Sequence, residues 1–301
     1  MNPPPKGADP ATFPCVPPAF ARPRANPARL TATWIGHATV LVQIGGLNVL
    51  TDPVWSRRAS PVSFAGPARV VPAAVPFAEL PSVDVVLLSH NHYDHLDART
   101  VRRLATVHRH AQWLVPLGLA DFVRRRGVER VTELDWWDET RVGEATVACA
   151  PAQHFSARGL SDRMRTLWCG WTVEARGRRV YFAGDTAYCP VFAEIARRRG
   201  PFDLVILPIG AYEPRWFMRS VHMNPEDALR AYRDLSDVAT TSQDAGPTPT
   251  MLAVHWGTFR LTDEPLAEPP ARMCRLWAEA GCRAEALWVP KHGETRDIVA
   301  Y

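Results

Sequence analysis

Residues 87–97 read LLSHNHYDHLD, and they place three histidines and one aspartate within six positions, directly after an apolar run. That run, VDVVLLS at 83–89, is too continuously apolar for a strand with one exposed face, so it predicts a strand buried on both sides. Asp97 is placed to cap a helix formed by ARTVRRLATV. The cluster therefore lies in a tight loop between a buried strand and a helix, where alternate side chains can point into one pocket.

Imidazole and carboxylate side chains in one loop suit zinc, iron or manganese, and the loop lacks the cysteines of a closed structural zinc site. A single histidine at a strand end is usually a surface or capping residue, but HxHxDH after VVLLS favours a metal site. One six-residue loop does not easily complete two coordination spheres. Further ligands are therefore expected from other parts of the chain.

Three later segments repeat the arrangement of an apolar strand that ends on a ligand-type residue. ACAPAQHFS ends on His154, VYFAGDTA on Asp185, and MLAVHWGTF on His255. Strand ends that bring histidine or aspartate to one edge of a sheet can build a metal site there. The chain carries no GxSxG elbow and no GxxxxGK[ST] phosphate loop, so the predicted chemistry depends on metal.

The composition is that of a globular protein, with 301 residues, 47% of them apolar, and a net charge of +4. Each of the two RRR runs (124–126 and 197–199) precedes a glycine, which is typical of a helix end and argues against a nucleic-acid patch. Six scattered cysteines without a CxxC pair favour a reduced, cytoplasmic protein. No window has signal-peptide or membrane-span character, although peripheral membrane contact stays open.

The chain divides into a proline-rich N-terminal arm over residues 1–30 and one domain over 31–301. Nine of the 28 prolines fall in the arm, which is expected to be extended. In the domain, strands 38–44 and 47–52 are joined by a glycine turn, and strands then alternate with helices, which indicates two stacked sheets with helices outside. Residues 236–250 have turn-forming composition and predict a surface loop.

These motifs, together with WIGHATVLVQ, LTDPVWS and HMNPEDAL, resemble the metallo-β-lactamase fold superfamily. Within it they resemble the branch that contains N-acyl-phosphatidylethanolamine-hydrolysing phospholipase D and its bacterial relatives. The resemblance runs from about Trp34 to about Glu294. It implies an α/β fold, a four-layer αββα sandwich with the metal site on one edge of the β-sandwich.

The resemblance also implies a ligand set for two divalent metal ions, zinc first, with iron or manganese as alternatives. His90, His92 and His154 would bind one ion, Asp94, His95 and His255 the other, and Asp185 would bridge them. A hydroxide held between the ions would attack the substrate. The residues assigned to catalysis are Asp94, Asp185 and His222.

Four further residues are candidates for roles in or beside the pocket. Asp52 either accepts a hydrogen bond from a ligand imidazole or starts a turn before Pro53. His37 either lines the pocket or bonds the backbone. His222 resembles an active-site position that contacts substrate or protonates the leaving group. Trp216 is a candidate for an apolar entrance formed with four other side chains (Trp55, Phe64, Phe217 and Met218), whereas His108, His110 and His292 are expected at the surface.

The predicted function is that of a metal-dependent hydrolase, a phosphodiesterase acting on a phospholipid or related phosphodiester in the manner of a phospholipase D. One alternative keeps the metals and makes the protein a lactonase of the L-ascorbate-6-phosphate type. A nuclease is disfavoured by the dispersed charge, so no nucleic-acid partner is expected, and a non-catalytic scaffold is disfavoured because all seven ligand positions are filled. Related enzymes are often dimers, so a homodimer is included among the expectations.

Overall fold

The computed structural model describes residues 13–159, 161–237 and 248–299, and within them the strands form two mixed sheets of seven strands each. The strands of the first half of the chain are β1 (Leu30–Gly36), β2 (Thr39–Ile44), β3 (Leu47–Thr51), β4 (Val85–Leu87), β5 (Gln112–Pro116) and β6 (Val131–Leu134). The others are β7 (Glu139–Val142), β8 (Ala145–Ala150), β9 (Gly170–Ala175), β10 (Arg178–Phe182), β11 (Leu204–Pro208), β12 (Thr250–Val254), β13 (Leu287–Trp288) and β14 (Thr295–Asp297). The first sheet has the order β14-β1-β2-β3-β4-β5-β6 and the second β13-β12-β11-β10-β9-β8-β7.

Six α-helices occur in the described residues, and all but the short helix Arg215–Met218 bury side chains on the outer face of a sheet. They are α1 (Ala98–Val107), α2 (Ala120–Arg124), α3 (Val191–Arg199), α4 (Arg215–Met218), α5 (Pro225–Ser236) and α6 (Glu268–Glu279). Buried residues of α1 and α2 share one apolar cluster with the first sheet, and those of α3, α5 and α6 share another with the second sheet. This is the predicted αββα sandwich, and the fold class is confirmed.

Strand β4 shows why the run before the histidine cluster is apolar at every position. Val85 and Leu87 pack in the cluster between the sheets, while Val86 and Leu88 pack in the cluster under the helices. Successive side chains of a strand point to opposite faces, so a strand covered on both faces must be apolar throughout. The prediction of a doubly buried strand is confirmed.

Local turn and cap signals are also met. The Gly45-Gly46 turn has positive φ angles of 58° and 82° between antiparallel β2 and β3. Asp97 caps α1, where its Oδ1 accepts a hydrogen bond of 3.0 Å from the backbone N–H of Arg99. The two arginine runs end helices as predicted, since α2 stops at Arg124 and α3 carries its arginines in the last turn before Gly200.

Two of the three histidines that were expected at the surface are buried, so that prediction is wrong for them. The side chain of His108 accepts a hydrogen bond of 3.3 Å from the backbone N–H of Val83, and His108 is only 7% exposed. His292 is 1% exposed because its ring packs on Trp34, with 4.1 Å between ring centroids. His110 is exposed.

Three short strands at sheet edges, β6, β7 and β14, carry no clear sequence signal and were not predicted. Of the arm, residues 13–29 lie against the domain without forming a helix or strand, and Phe13 and Phe20 are buried there. Residues 1–12 of the arm, and 238–247 of the predicted surface loop, lie outside the described residues. Among the helices that the structure describes, none combines the length and the apolar character needed to cross a bilayer.

Candidate metal centre

The site lies where strands of both sheets end. Strands β3, β4 and β5 run parallel in the first sheet, and β10, β11 and β12 run parallel in the second. Parallel strands bring their carboxyl ends to the same edge of a sheet, and Asp185 and His255 follow β10 and β12 there. The loop after β4 carries the histidine cluster to the facing edge of the first sheet. The predicted strand-end residues therefore meet at one edge of the sandwich.

One group of donor atoms comes from His90, His92, His154 and Asp185, whose ligand atoms lie within 4.8 Å of one another. His90 Nε2 is 2.8 Å from His92 Nδ1, and His154 Nε2 is 3.2 Å from the same atom. Both Nε2 atoms lie 3.8 Å from Asp185 Oδ2. Ligand atoms of a tetrahedral zinc ion are about 3.3 Å apart, so this spacing fits one divalent ion.

A second group comes from Asp94, His95 and His255, with His37 beside them. The Nε2 atoms of His95 and His255 both lie 3.4 Å from Asp94 Oδ2. His37 Nε2 is 2.8 Å from the same oxygen, and its ring lies against that of His255 with 4.0 Å between centroids. The sequence left the role of His37 open, and the structure places its side chain in this group.

Asp185 stands between the two groups. Its Oδ2 lies 3.8 Å from the Nε2 atoms of His90 and His154 in the first group. In the second group, the same oxygen is 3.0 Å from His95 Nε2, and Oδ1 is 3.2 Å from His255 Nε2. No other carboxylate within the described residues comes within 4.0 Å of histidine nitrogens from both groups. The structure thus brings together all seven residues that the sequence singled out as ligands.

The opposite nitrogen of several of these imidazoles is held by a fixed partner. Asp52 Oδ2 is 2.7 Å from His95 Nδ1, Ser89 Oγ is 2.8 Å from His90 Nδ1, and His154 Nδ1 donates to the carbonyl of Val221 at 2.8 Å. Such bonds fix the tautomer and leave Nε2 free to face the centre. From the sequence, a hydrogen bond that Asp52 accepts from a ligand imidazole was one of two interpretations of that residue. The roles of Ser89 and Val221 were missed, because neither carries a ligand-type side chain.

Backbone strain concentrates around the site. His37, Asp52 and His255 have left-handed φ angles of 57°, 32° and 63°, a conformation that residues other than glycine rarely adopt. Gly184, which precedes Asp185, has φ +61°, and a Cβ there would lie 2.5 Å from the Cβ of Ser89. The surrounding structure must hold this backbone in place to deliver the side chains to one pocket.

Burial and neighbouring charges set the protonation of the cluster. Burial acts to raise the pKa of Asp185, but the imidazoles of His255 and His95 outweigh it and hold that pKa well below its ordinary range. Burial, together with His95 and His92, lowers the pKa of His90 well below its usual value. Burial opposes charge on His255, yet Asp185 and Asp94 raise its pKa to about 9. The carboxylates stay ionised, and a divalent cation can replace the protons that otherwise balance them.

His222 lies beside the two groups, and Trp216 does not. His222 is buried, its Nε2 is 3.9 Å from Asp185 Oδ2, and its Nδ1 has no hydrogen-bond partner within the described residues. Trp216 is 79% exposed, and its ring contact is with Phe217 on the same short helix, α4. Phe64 is also exposed, whereas Trp55 is half-buried and donates to the carbonyl of Val75.

The donor set fits divalent metal ions. Three buried atoms that face the centre, His95 Nε2, His255 Nε2 and Asp185 Oδ1, make no hydrogen bond in the described part of the chain. A buried polar atom without a partner costs free energy, and coordination to a metal removes that cost. Nitrogen and carboxylate donors without thiolate are compatible with zinc, iron and manganese. This chain's residues could therefore hold metal at both groups.

Comparisons with known proteins agree with this geometry. A family model described as a beta-lactamase superfamily domain matches residues 47–256. An uncharacterized protein of Mycobacterium tuberculosis is 46% identical over 292 residues, which cover 95% of this chain and 74% of that protein. The N-acyl-phosphatidylethanolamine-hydrolyzing phospholipase D 1 of Caenorhabditis elegans is 43% identical over 258 residues, which cover 82% of this chain and 69% of the relative.

Among solved structures, the isothiocyanate hydrolase from Delia radicum gut bacteria superposes with a TM-score of 0.67. It is 23% identical and covers 90% of this chain and 100% of its own, which supports the fold alone. The match to the family model spans most of the domain and includes every predicted ligand. The chain therefore belongs to the metallo-β-lactamase superfamily, and its relatives within that superfamily include a phospholipase D that hydrolyses N-acyl-phosphatidylethanolamine.

Proposed function

We propose that this protein is a binuclear metal-dependent phosphodiesterase that acts on a phospholipid in the manner of a phospholipase D. The observation that carries the proposal is the position of Asp185 between the two groups. Its Oδ2 lies 3.8 Å from the Nε2 atoms of His90 and His154, and its Oδ1 lies 3.2 Å from His255 Nε2. Two divalent ions, with zinc as the first candidate, would be held by those groups. When bound, such ions lower the pKa of water from 15.7 to about 7 and neutralise charge on phosphoryl oxygens.

The chain's own side chains would position these ions and exclude water from around them. Asp52 holds the ring of His95, and the carbonyl of Val221 holds the ring of His154, so neither imidazole can rotate away from the centre. Asp185 and His95 are at most 3% exposed, and ligands buried in this way keep the centre free of competing solvent.

His222 is proposed to contact the substrate or to transfer a proton to the leaving oxygen. Its Nε2 lies 3.9 Å from Asp185 Oδ2, and its Nδ1 makes no hydrogen bond among the described residues. The segment that delivers it also holds His154, because Val221 and His222 are adjacent and Arg215 Nη1 donates to the carbonyl of His222 at 2.8 Å. One short segment therefore fixes a ligand of the first group and a proton-transfer candidate together.

The substrate class rests on the relatives. The 43% identical protein from Caenorhabditis elegans is named for hydrolysis of N-acyl-phosphatidylethanolamine, and the match covers 82% of this chain. A phosphodiester with one lipid side is accordingly the substrate we propose for this chain. The exposed aromatic side chains of Trp216 and Phe217 on α4 support peripheral contact with a lipid surface.

The test measures metal content and turnover of bis(p-nitrophenyl) phosphate in wild type, in Asp185→Asn and in Asp203→Asn, a buried carboxylate that pairs with Arg178 far from the centre. We expect two metal ions per chain and turnover in wild type and in the control. We expect a loss of turnover of at least about a hundredfold in Asp185→Asn. Turnover that survives metal removal, or survives in Asp185→Asn, would contradict the mechanism.

We also propose that the protein is cytoplasmic and that it forms a homodimer. Light scattering of the purified protein tests the dimer, and a monomer at micromolar concentration would refute it. Fractionation of native cells tests the location, and recovery of the protein outside the cytoplasm would refute it.

A further inference from the structure

A cavity with a volume of about 400 Å³ lies behind the metal-binding loop, residues 90–96 between β4 and α1. Five arginines line it, and the acidic side chain at its wall is that of Asp97. The arginines come from the loop after β3, from α1, from the segment after α2 and from the loop after β8: Arg58, Arg99, Arg102, Arg126 and Arg158. Segments that are distant in the sequence therefore converge to place positive charge around one concave space.

The single acid does not balance that charge. Asp97 already accepts hydrogen bonds from Ser56 and Thr100 and from the backbone of Arg99. Within the described residues, no carboxylate oxygen comes within 4.0 Å of a guanidinium nitrogen of the five arginines. Asp162 lies near Arg158 but accepts from the backbone N–H groups of Arg158 and Gly159 and does not line the cavity.

In three of the five arginines, one guanidinium nitrogen donates hydrogen bonds to backbone carbonyls, which fixes the position of the group. Arg158 Nη1 donates to the carbonyls of Asn91 and Leu96 at 2.8 and 2.7 Å, and its guanidinium stacks over Tyr93. Arg126 Nη1 donates to the carbonyl of Phe122, while its buried Nε has no partner. Arg58 Nη1 donates to Gly66. Each fixed fork keeps further N–H groups for a ligand, and this preorganisation favours binding.

The crowding of positive charge is costly to the protein. Burial lowers the pKa of Arg158 to about 10. Burial, with Arg102 and Arg125 nearby, lowers the pKa of Arg126. An anion that enters the cavity relieves the repulsion between Arg126 and its cationic neighbours.

We propose that this cavity is a binding site for a phosphate-bearing small molecule or lipid head group, separate from the metal centre. Arginine forks match phosphate oxygens in pairs, and the cavity has the volume of an ordinary small-ligand pocket. A concave space lined by several fixed forks suits a compact phosphate ester better than an extended polyanion. The site stands independently of the reaction proposed above, because none of its arginines belongs to the donor groups.

The cavity is joined to the back of the metal-binding loop. Arg158 bonds the carbonyls at both ends of the loop, Asn91 and Leu96, and Tyr93 within the loop donates its hydroxyl to the carbonyl of Arg158 at 2.7 Å. Ala157 donates to the side chain of Asn91 at 2.9 Å. A ligand held by Arg158 therefore also stiffens the loop that presents His90, His92 and His95.

Calorimetric titration of the zinc-loaded, full-length protein tests the proposal, with glycerol 3-phosphate in one arm and phosphatidylcholine vesicles containing phosphatidic acid in the other. The cavity variant is Arg99→Gln with Arg102→Gln, two exposed side chains on α1. The matched control is Arg109→Gln with Arg275→Gln, which removes the same charge from exposed positions outside the cavity. Any binding of phosphate at the metal centre contributes equally to the isotherms of all three proteins. A difference between their isotherms therefore reports binding in the cavity.

We expect the cavity variant to bind at least one of the two titrants about tenfold or more weakly at the cavity site, while the control keeps the wild-type isotherm. If the cavity variant loses affinity in both arms, or for glycerol 3-phosphate alone, a soluble phosphate ester is sufficient to occupy the cavity. If the cavity variant loses affinity for the vesicles alone, the ligand of the cavity is a lipid head group. Equal isotherms for wild type and the cavity variant in both arms would overturn the proposal, as would an equal loss in the control.

Discussion

Asp52 and His95 form a buried pair in which Asp52 Oδ2 lies 2.7 Å from His95 Nδ1, and neither side chain has measurable exposure. Asp52 also accepts from the backbone N–H and hydroxyl of Ser89 at 2.7 and 2.6 Å. The carboxylate therefore ties β3 to the start of the metal-binding loop and directs His95 Nε2 toward Asp185. This one contact links the fold of the first sheet to the geometry of the centre.

Asp52→Asn should weaken metal binding by about 10- to 100-fold, because a ligand imidazole loses the partner that orients it and raises its basicity. Competition with a chromophoric zinc chelator measures the affinity. Asp203→Asn, which removes a buried carboxylate from an ion pair with Arg178, should leave metal affinity unchanged. An Asp52 variant with wild-type affinity would show that the contact is only structural.

His154→Gln and His255→Gln should each lower the metal content from two ions to one, because the two histidines belong to different donor groups. Metal analysis of the purified proteins after dialysis measures the content. His110→Gln is the control, since that histidine is exposed. Retention of both ions in either variant, or loss of both in each, would contradict the assignment of these residues to separate ions.

Gly184→Ala should destabilise the fold and reduce metal content, because a Cβ there meets Ser89 at 2.5 Å and the residue has φ +61°. The clash and the strained backbone together cost about 2–5 kcal/mol. Gly177→Ala is a matched control, since Gly177 has φ +76° but no atom within 4 Å of the added carbon. Urea unfolding should show a clearly larger loss for Gly184→Ala; equal losses would mean that the close approach has no consequence.

His292 should make the protein less stable in acid. Burial, together with Arg69, lowers the pKa of His292 to about 3 from an ordinary value of 6.5. Since the unfolded chain takes up the proton first, stability is full above pH 6.5 and falls toward pH 3, by about 1.4 kcal/mol per pH unit.

Urea unfolding of wild type and His292→Gln over this pH range measures the effect. The variant should lose stability at neutral pH but show a shallower decline in acid. Parallel pH profiles for wild type and His292→Gln would exclude His292 as a source of acid sensitivity.

Much of the site was predictable because its signals are local. An apolar run that ends on histidine or aspartate can be read within ten residues, and this placed His90, His154, Asp185 and His255 at strand ends. The roles of Asp52 and His37 stayed undecided, because their partners, His95 and Asp94, lie more than 40 positions away along the chain. The expectation for His292 failed for the same reason, since Trp34 buries it from the far end of the chain.

The sequence by itself determined the class of fold, the ligand types and the order in which they occur. Periodicity, glycine turns and helix caps depend on neighbouring residues, so they can be read without knowing how the chain packs. The tertiary structure alone decided which histidines share a carboxylate oxygen, that Asp185 faces both groups, and that five arginines surround one cavity. Those relationships are distances of a few ångströms between residues far apart in the chain, and only the packing of the two sheets fixes them.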